Sequence, residues 1–383
     1  MHMCEGGYSL QCMISLTRRI TAANTLLAPY AVPHGKGLGR IHKESDDATR
    51  FPFQRDRDRI IHTQAFRRLK HKTQVFVSGH GDHYRTRITH TLEVAQLSRD
   101  IARTLGLNED LAEAIALAHD LGHTPFGHAG EEAMNECMKV YGVFFEHNLQ
   151  SLRIVSVLED RSTLYPGLNL SHEILEGLIK HRSPHNPVTG IDVPRSPSLE
   201  AQVVNFADEV AYTAHDTDDG LRAGLFTLDD IKKTKLGKTA ALRSSGRSEL
   251  RGSIVDVLVT DLYAETERRL KAYGIRSIAD VYASDSELVG FSVPTVRQTS
   301  ELRKFLWDRL YKSPSVLRQA SRGKRVITSL FKAYMQSPPA KVKTLRMKHG
   351  ASLEEAVKDY IAGMTDIYAL ELSGKKIRRV VRS

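Results

Sequence analysis

With 383 residues, of which 41% are hydrophobic, the chain is long enough for one large core or two domains, and no run of about 20 apolar residues suggests a membrane span. Arg18 and Arg19 stand where a signal peptide needs its apolar segment, and the cysteines (Cys4, Cys12, Cys137) form no CxxC pair. We therefore expect a cytoplasmic protein without a disulfide framework or a thiolate zinc site. The net charge of +10 favours a polyanionic partner, nucleotide phosphate or nucleic acid, although a basic surface also serves solubility alone.

Apolar residues at helical spacing predict an all-α (mainly helical) protein. A stripe of Ile88, Leu92, Ala95 and Ala102 predicts one helix, which Gly106 ends. Further helices are predicted from the cap Asn108 to Gly122 and Pro125, over 129–140, 149–158, 172–180 and 198–217, through Ile254, Leu258, Leu262 and Leu270, and after the capping box of Ser352 and Glu355.

Three segments depart from the helical pattern. Residues 74–78 predict a short strand, and residues 181–198, with four prolines, predict a loop. Residues 232–253 are basic and rich in Ser and Gly, which predicts a second loop. This loop is either a solvated surface segment or a contact for nucleic acid or a partner subunit.

The stretch AHDLGHTPFGHAGEE (118–132) places three histidines and three carboxylates beside proline and glycine, which packing alone does not require. His119 and Asp120 fall in the last turn of a predicted helix. Adjacent helical positions diverge by about 100°. Both side chains therefore face one ion only where the turn loosens, and Gly122 allows this.

His90, on the preceding helix, and Asp208, on a downstream helix, complete a set of two imidazoles and two carboxylates. Such a set suits a divalent ion and leaves coordination positions for water or phosphate oxygens. For a lone His-Asp pair the simpler interpretation is that His119 caps its helix and Asp120 pairs with an arginine. The extended pattern is what favours a metal site.

That pattern resembles the HD-domain phosphohydrolases, and within them the deoxynucleotide triphosphohydrolases, which include the bacterial dGTPase family and a mammalian relative. The resemblance covers most of residues 51–224 and is loose in the C-terminal half, at VKDYIAGMTDIYA (357–369). The matching stretches are FPFQRDRDRIIHTQAFRRLKHKTQVF (51–76), RTRITHTLEVAQLSRDIA (85–102), LAHDLGHTPFGHAGEEAMN (117–135), FEHNLQSLRI (145–154) and NFADEVAYTAHDTDDGLRAG (205–224).

The resemblance implies one divalent ion, Mg²⁺ or Mn²⁺ before other first-row ions, on His90, His119, Asp120 and Asp208. It also implies cleavage of a dNTP, dGTP or several dNTPs, between the 5′ oxygen and the α-phosphorus, which gives deoxynucleoside and intact triphosphate. The fold it implies is an HD-domain helical core with an additional helical C-terminal region.

Four further residues of the same stretches are candidates for the catalytic machinery, and two of them for proton transfer. His128 and Glu131 are three residues apart on a predicted helix and share a face, and a carboxylate beside an imidazole raises its basicity. The resemblance implies that this pair is a catalytic dyad. It also implies that His123 and His147 are active-site histidines that contact phosphate or leaving group.

Asp208, Tyr212 and Asp216 are spaced i, i+4, i+8 and run down one helical face. If Asp208 faces the metal, the other two line the same cleft, although core packing is an equal alternative for Tyr212 by itself. The resemblance implies that Tyr212 excludes a ribose 2′-hydroxyl and that Asp216 accepts the 3′-hydroxyl. It implies too that Gln74 contacts the sugar and Arg87 the phosphates.

One residue departs from the pattern of the mammalian relative. Glu209 stands where that protein has a lysine that reaches the triphosphate, so we expect another cation to hold it, with Lys180, Arg182 and Arg222 as candidates. The chain has no Walker A loop and no GxGxxG motif, which argues against ATP-driven or dinucleotide chemistry.

The sequence thus predicts a metal-dependent dNTP triphosphohydrolase with an N-terminal extension (1–50), an HD core (51–235) and a helical C-terminal region (236–383) packed on that core. A homo-oligomer with a nucleotide effector at its interfaces is expected, and loop 232–253 and the tail GKKIRRVVRS are candidates for binding single-stranded DNA. Two alternatives remain: an HD hydrolase of a phosphomonoester, cyclic nucleotide or alarmone, and a non-catalytic module that senses nucleotides or binds nucleic acid.

Overall fold

The computed structural model describes residues 15–74, 85–179, 196–244 and 249–380, and the side chains of this last range as far as Gly374. In chain order the helices are α1 (Leu16–Asn24), α2 (Pro52–Ile61), α3 (Gln64–Arg68), α4 (Arg87–Thr104), α5 (Glu109–Ala118), α6 (Gly127–Lys139), α7 (His147–Arg153), α8 (His172–Leu178), α9 (Leu199–Arg222), α10 (Leu228–Ile231), α11 (Lys235–Arg243), α12 (Leu250–Ala272), α13 (Ile278–Ala283), α14 (Val293–Leu306), α15 (Pro314–Gln336), α16 (Ala340–His349), α17 (Leu353–Ala362) and α18 (Asp366–Val380). A π-helical turn follows α7 at Ile154–Leu158 and another follows α14 at Trp307–Tyr311.

The all-α prediction is confirmed: the described residues contain no strand, only isolated bridges such as the one between Thr73 and Thr86. Local caps explain where several helices begin. The side chain of Asn108 accepts a hydrogen bond from the amide of Leu111 and opens α5. Ser352 opens α17 through the predicted capping box. None of the described helices combines the length and the apolar composition that a membrane span needs.

Two of the local predictions are wrong. Leu92 does not face the core of α4 but is 51% exposed, and that helix buries Val94 and Ile101 instead. Segment 232–253 is not one loop, because Thr234 caps α11, which buries Leu236, and α12 begins at Leu250. The helix predicted over 198–217 continues to Arg222. Beyond Gln74 the strand predicted over 74–78, and residues 181–195 of the other loop, lie outside the described residues.

Buried apolar side chains form two clusters. The first extends from Ala31 to Leu310 and includes α4, α5, α9 and α12. In the second, α15, α17 and α18 pack around Phe126, Met134 and Met138 of α6 and its N-terminal junction. The division of hydrophobic packing therefore does not follow the boundary at 235/236: α11 and α12 belong to the first cluster, and α6 belongs to the second.

Candidate metal centre and active site

Three helices bring the four predicted metal ligands together. α4 carries His90, the turn that directly follows α5 carries His119 and Asp120, and α9 carries Asp208. His90 Nε2 lies 3.0 Å from Asp208 Oδ1 and 3.8 Å from Asp120 Oδ2. His119 Nε2 lies 3.3 Å from Asp120 Oδ1 and 3.7 Å from Asp208 Oδ1. The two imidazoles and Asp120 are buried.

This donor set fits a divalent metal ion. Neighbouring ligand atoms around a six-coordinate Mg²⁺ are about 3 Å apart, since each lies about 2.1 Å from the ion. His90, His119 and Asp120 each offer a ligand atom within 4.8 Å of the others. His119 Nδ1 is 2.6 Å from the carbonyl oxygen of Ala116, which can only accept. The proton is therefore on Nδ1, and the lone pair on Nε2 faces the carboxylates.

Gly122 allows α7 to approach the turn that carries His119 and Asp120. A Cβ atom at Gly122 would lie 2.1 Å from the carbonyl oxygen of His147 and 2.3 Å from the amide nitrogen of Ser151, so no larger residue fits. The Ser151 hydroxyl accepts from the amide of Gly122 and donates to the carbonyl of His119, both at 2.8 Å. α7 thus packs directly against the turn.

Arg87, which was predicted to contact the phosphates, contacts one of the metal ligands. It is buried, and its Nη1 lies 2.8 Å from Asp120 Oδ2. Burial by itself would raise the pKa of Asp120, but His119, His123 and Arg87 lower it well below its ordinary value. The carboxylate is therefore held ionised, as a metal ligand must be.

Glu131 lies between two histidines, and the nearer one is His147. Glu131 Oε1 is 2.8 Å from His147 Nδ1 and accepts a hydrogen bond of 2.9 Å from the His147 amide. His128 Nδ1, the predicted dyad partner, is 3.6 Å from Glu131 Oε2, and its side chain is 79% exposed. Burial opposes ionisation of Glu131, but the bonds from His128 and His147 lower its pKa far below the ordinary value.

His123 joins the two groups. Its Nε2 lies 3.1 Å from Asp120 Oδ1, and its ring stacks on that of His147 with centroids 3.9 Å apart. Asp120, His123 and His147 therefore form a second set of atoms that are close enough to hold an ion.

Two of the candidate sugar contacts, Tyr212 and Asp216, lie on α9 after Asp208. They contact two residues that the sequence did not indicate. The hydroxyl of Tyr311 donates to Asp216. Burial raises the pKa of Asp216 to about 7, although the hydrogen bond from Tyr311 by itself lowers that pKa. The guanidinium of Arg303 lies 5.0 Å from the ring centre of Tyr212. Gln74 Oε1 is buried without a hydrogen-bond partner among the described residues.

Arg303 also forms an ion pair with Glu209. The residue that replaces the lysine of the mammalian relative thus holds a cation in place. Of the cations expected to hold the triphosphate, Arg222 pairs with Asp218 at 2.8 Å and is largely exposed, whereas Lys180 and Arg182 lie outside the described residues. No pattern in the sequence indicated Arg303 or Tyr311, because α14 and its π-helical turn reach α9 only through the tertiary fold.

Two protein families and several curated proteins match this chain. The HD domain family matches residues 87–213, and the phosphohydrolase-associated domain family matches residues 289–375. A protein of Ralstonia nicotianae is 48% identical over 90% of this chain and 93% of its own length. A protein of Azoarcus sp. is 48% identical over 90% and 95%, and one of Geobacter sulfurreducens 45% over 90% and 93%.

Each of these relatives is described as a deoxyguanosinetriphosphate triphosphohydrolase-like protein. HD domains bind divalent metal ions, and the His/Asp cluster of this chain has ligand atoms close enough to hold one. The predicted resemblance is therefore confirmed, and the chain belongs to the family of deoxyguanosinetriphosphate triphosphohydrolase-like proteins, which are metal-dependent HD-domain phosphohydrolases.

Proposed function

We propose that this protein hydrolyses dNTPs to deoxynucleoside and inorganic triphosphate. The observation that carries the proposal is the continuity of α9, which leads from Asp208 at the metal centre to Tyr212 and Asp216, where Tyr311 orients the carboxylate. A metal centre at one end of this helical face and a tyrosine–carboxylate pair at the other end suit an α-phosphate and a deoxyribose. The names of the relatives support a nucleotide substrate.

In the proposed reaction, water attacks the α-phosphorus and the bond from phosphorus to the 5′ oxygen breaks. The electron pair of that bond goes to the 5′ oxygen, which takes up a proton, while the attacking water loses one. A divalent ion held by His90, His119, Asp120 and Asp208 would polarise the α-phosphate.

Side chains of this protein handle the protons and the charge. Glu131 contacts His147 at 2.8 Å and the more exposed His128 at 3.6 Å, and we propose His128 as the proton donor to the 5′ oxygen. His123, stacked on His147, faces the phosphate. Arg303 is proposed as the triphosphate cation in place of the missing lysine, because Glu209 holds it beside Tyr212.

Product analysis tests the proposal. An equimolar mixture of the four dNTPs is incubated with Mg²⁺ or Mn²⁺, with Asp120→Ala alongside. We expect deoxynucleosides and intact triphosphate, which the variant does not produce, and their ratio gives the base preference. Stepwise release of orthophosphate would instead support an HD hydrolase of another nucleotide. Nucleotide binding without any product would support the sensing module.

We also propose a homo-oligomer with a nucleotide effector. Sedimentation with and without dNTPs tests the oligomer and its effector.

We propose as well an electrostatic contact with single-stranded DNA. Five Lys or Arg residues on α15 and four on α16, with no carboxylate on either helix, support a polyanion contact in addition to segment 232–253. Affinity for an oligonucleotide that does not fall as salt rises would contradict the DNA contact.

A further inference from the structure

Two buried polar side chains, Lys72 and Asp366, form hydrogen bonds with the backbone of the turn that carries His119 and Asp120. Residues 119–127, which we name the HD loop, connect α5 to α6. Nζ of Lys72 donates to the carbonyl oxygen of His123. The amide of Phe126 donates to Asp366 Oδ1 at 3.0 Å. Lys72 is 2% exposed and Asp366 1%, so water does not compete for these bonds.

Both side chains connect the HD loop to the C-terminal helices. Nζ of Lys72 also donates, at 3.0 Å, to the carbonyl oxygen of Ala362, the last residue of α17. Asp366 is the first residue of α18, and its Oδ2 accepts from the amide of Thr73 at 3.0 Å and from the Thr73 hydroxyl. One carboxylate therefore fixes the HD loop and the residue next to Lys72 together.

The backbone of the HD loop needs such support. Phe126 has a φ of +65°, in the left-handed region that a residue other than glycine adopts only when its surroundings hold it there. α15 passes so close that a Cβ atom at Gly323 would lie 2.7 Å from the Cβ of Phe126. The described part of the C-terminal region thus meets the HD loop at Asp366 and Gly323, and Ala362 is connected to it through Lys72.

We infer that Lys72 and Asp366 are positioning residues that fasten the HD loop to the C-terminal helices and thereby place Asp120 and His123 for metal and substrate. The inference rests on the proposed function, since it concerns the same site. Hydrogen bonds behind metal ligands typically change metal affinity or activity by about 10–100-fold. The C-terminal region would then be required for the metal centre and not only for the second apolar cluster.

Two substitutions remove the hydrogen bonds of Lys72 and of Asp366 to the HD loop. Lys72→Met keeps a similar volume and removes both donors. Asp366→Asn keeps the shape but has one oxygen, so it cannot accept from both Phe126 and Thr73. Asp56→Asn is the control, because Asp56 is also buried, accepts from the amide and the hydroxyl of Ser171 and pairs with Arg40, without contacting the HD loop.

Hydrogen–deuterium exchange over residues 119–127 in the metal-free protein and the Kd for Mn²⁺ are the readouts. We expect faster exchange and a Kd raised about tenfold in Lys72→Met and Asp366→Asn, and neither change in Asp56→Asn, whatever its melting temperature. Wild-type exchange and Kd in either folded variant, or an equal change in the control, would overturn the inference.

The readouts also separate this inference from the proposed function. A wild-type protein that binds Mn²⁺ but hydrolyses no dNTP contradicts the proposed function, while exchange and affinity still decide the positioning role. If Asp366→Asn does not fold, Lys72→Met alone decides. For an active enzyme, kcat should fall more than KM rises, because the ligands are misplaced while the sugar contacts on α9 remain.

Discussion

Two histidines compete for one carboxylate, that of Glu131. His147 makes the shorter contact, 2.8 Å against 3.6 Å for His128, and is held further by its amide and by the ring of His123. This difference in contacts supports the proposal that Glu131 and His147 orient the site and that His128 transfers the proton.

Substitution of these residues should lower turnover more than binding. We expect Glu131→Gln and His128→Ala each to reduce kcat about 10²–10⁴-fold, the usual contribution of general acid–base catalysis, with a smaller change in KM. Initial rates at saturating dNTP and Mn²⁺ check this, with the exposed His62→Ala as control. A His128→Ala enzyme with the wild-type kcat would remove His128 from the mechanism.

A single residue also sets the contact between α7 and the HD loop. At Gly122 a Cβ atom would meet the His147 carbonyl and the Ser151 amide, both backbone atoms that cannot move independently of α7. Gly122→Ala should therefore lower the free energy of unfolding by about 1–3 kcal/mol, the usual cost of overpacking. Urea denaturation measures it, with Gly252→Ala on α12 as control. A Cβ at Gly252 meets nothing within 4 Å, so this control should instead be stabilised by about 0.5–1 kcal/mol. Equal stability of Gly122→Ala and wild type would contradict the packing argument.

At the scale of elements, local signals predicted helices well where the cap or the stripe is complete in sequence. Asn108 and Ser352 open their helices as expected. The prediction that Leu92 faces the core was wrong, because helical spacing defines a face of the helix but not which neighbouring element covers it. α4 packs against α5 and α9, and Val94 is among the residues it buries. The loop predicted over 232–253 was wrong, because the many Lys, Ser and Gly residues of this segment obscure the few apolar positions that α11 buries.

The candidate site divides in the same way. His90 and Asp208 stand on predicted helices and His119 and Asp120 directly follow one, so the motifs that carry the resemblance pointed to all four. Arg303 and Tyr311 stand on α14 and the turn after it, more than 90 positions from the α9 residues they contact, so no local pattern points to them. Nothing in the sequence indicated the role of Asp366 either, since it depends on the approach of α18 to the HD loop.

A buried glutamate joins three elements and should make stability depend on pH. Glu200, at the start of α9, accepts at 3.0 Å from the amides of Val32 and of Asn108, the cap of α5. Burial raises its pKa to about 7 from 4.5. The folded protein therefore holds this proton above the pH at which the unfolded chain loses it, so the stabilisation is complete below about pH 4.5 and is lost as pH rises to about 7.

Glu200→Gln should flatten this dependence. The variant is neutral at every pH, so its stability should exceed that of the wild type at pH 8 by at most about 3 kcal/mol and lose that advantage at pH 4.5. Urea denaturation across pH 4.5–8 measures the difference, with the exposed Glu136→Gln as control. A constant difference between Glu200→Gln and wild type over this range would contradict it.

For the whole molecule, the HD loop links the two apolar clusters, because Leu121 belongs to the first cluster and Phe126 to the second. α6 packs on α15, while α5, at the far end of the same loop, is in the first cluster. We therefore expect one cooperative transition, with the fluorescence of the single tryptophan, Trp307, coinciding with helical circular dichroism. Ile254→Ala in the first cluster and Ile327→Ala in the second, both fully buried, should each lower that one midpoint, at about 2–5 kcal/mol. If Ile327→Ala splits the dichroism trace into two steps while the tryptophan signal keeps the wild-type midpoint, the C-terminal helices form a separate unit. Fastening of the HD loop by Lys72 and Asp366 would then be a contact between domains that leaves the metal centre able to form without it.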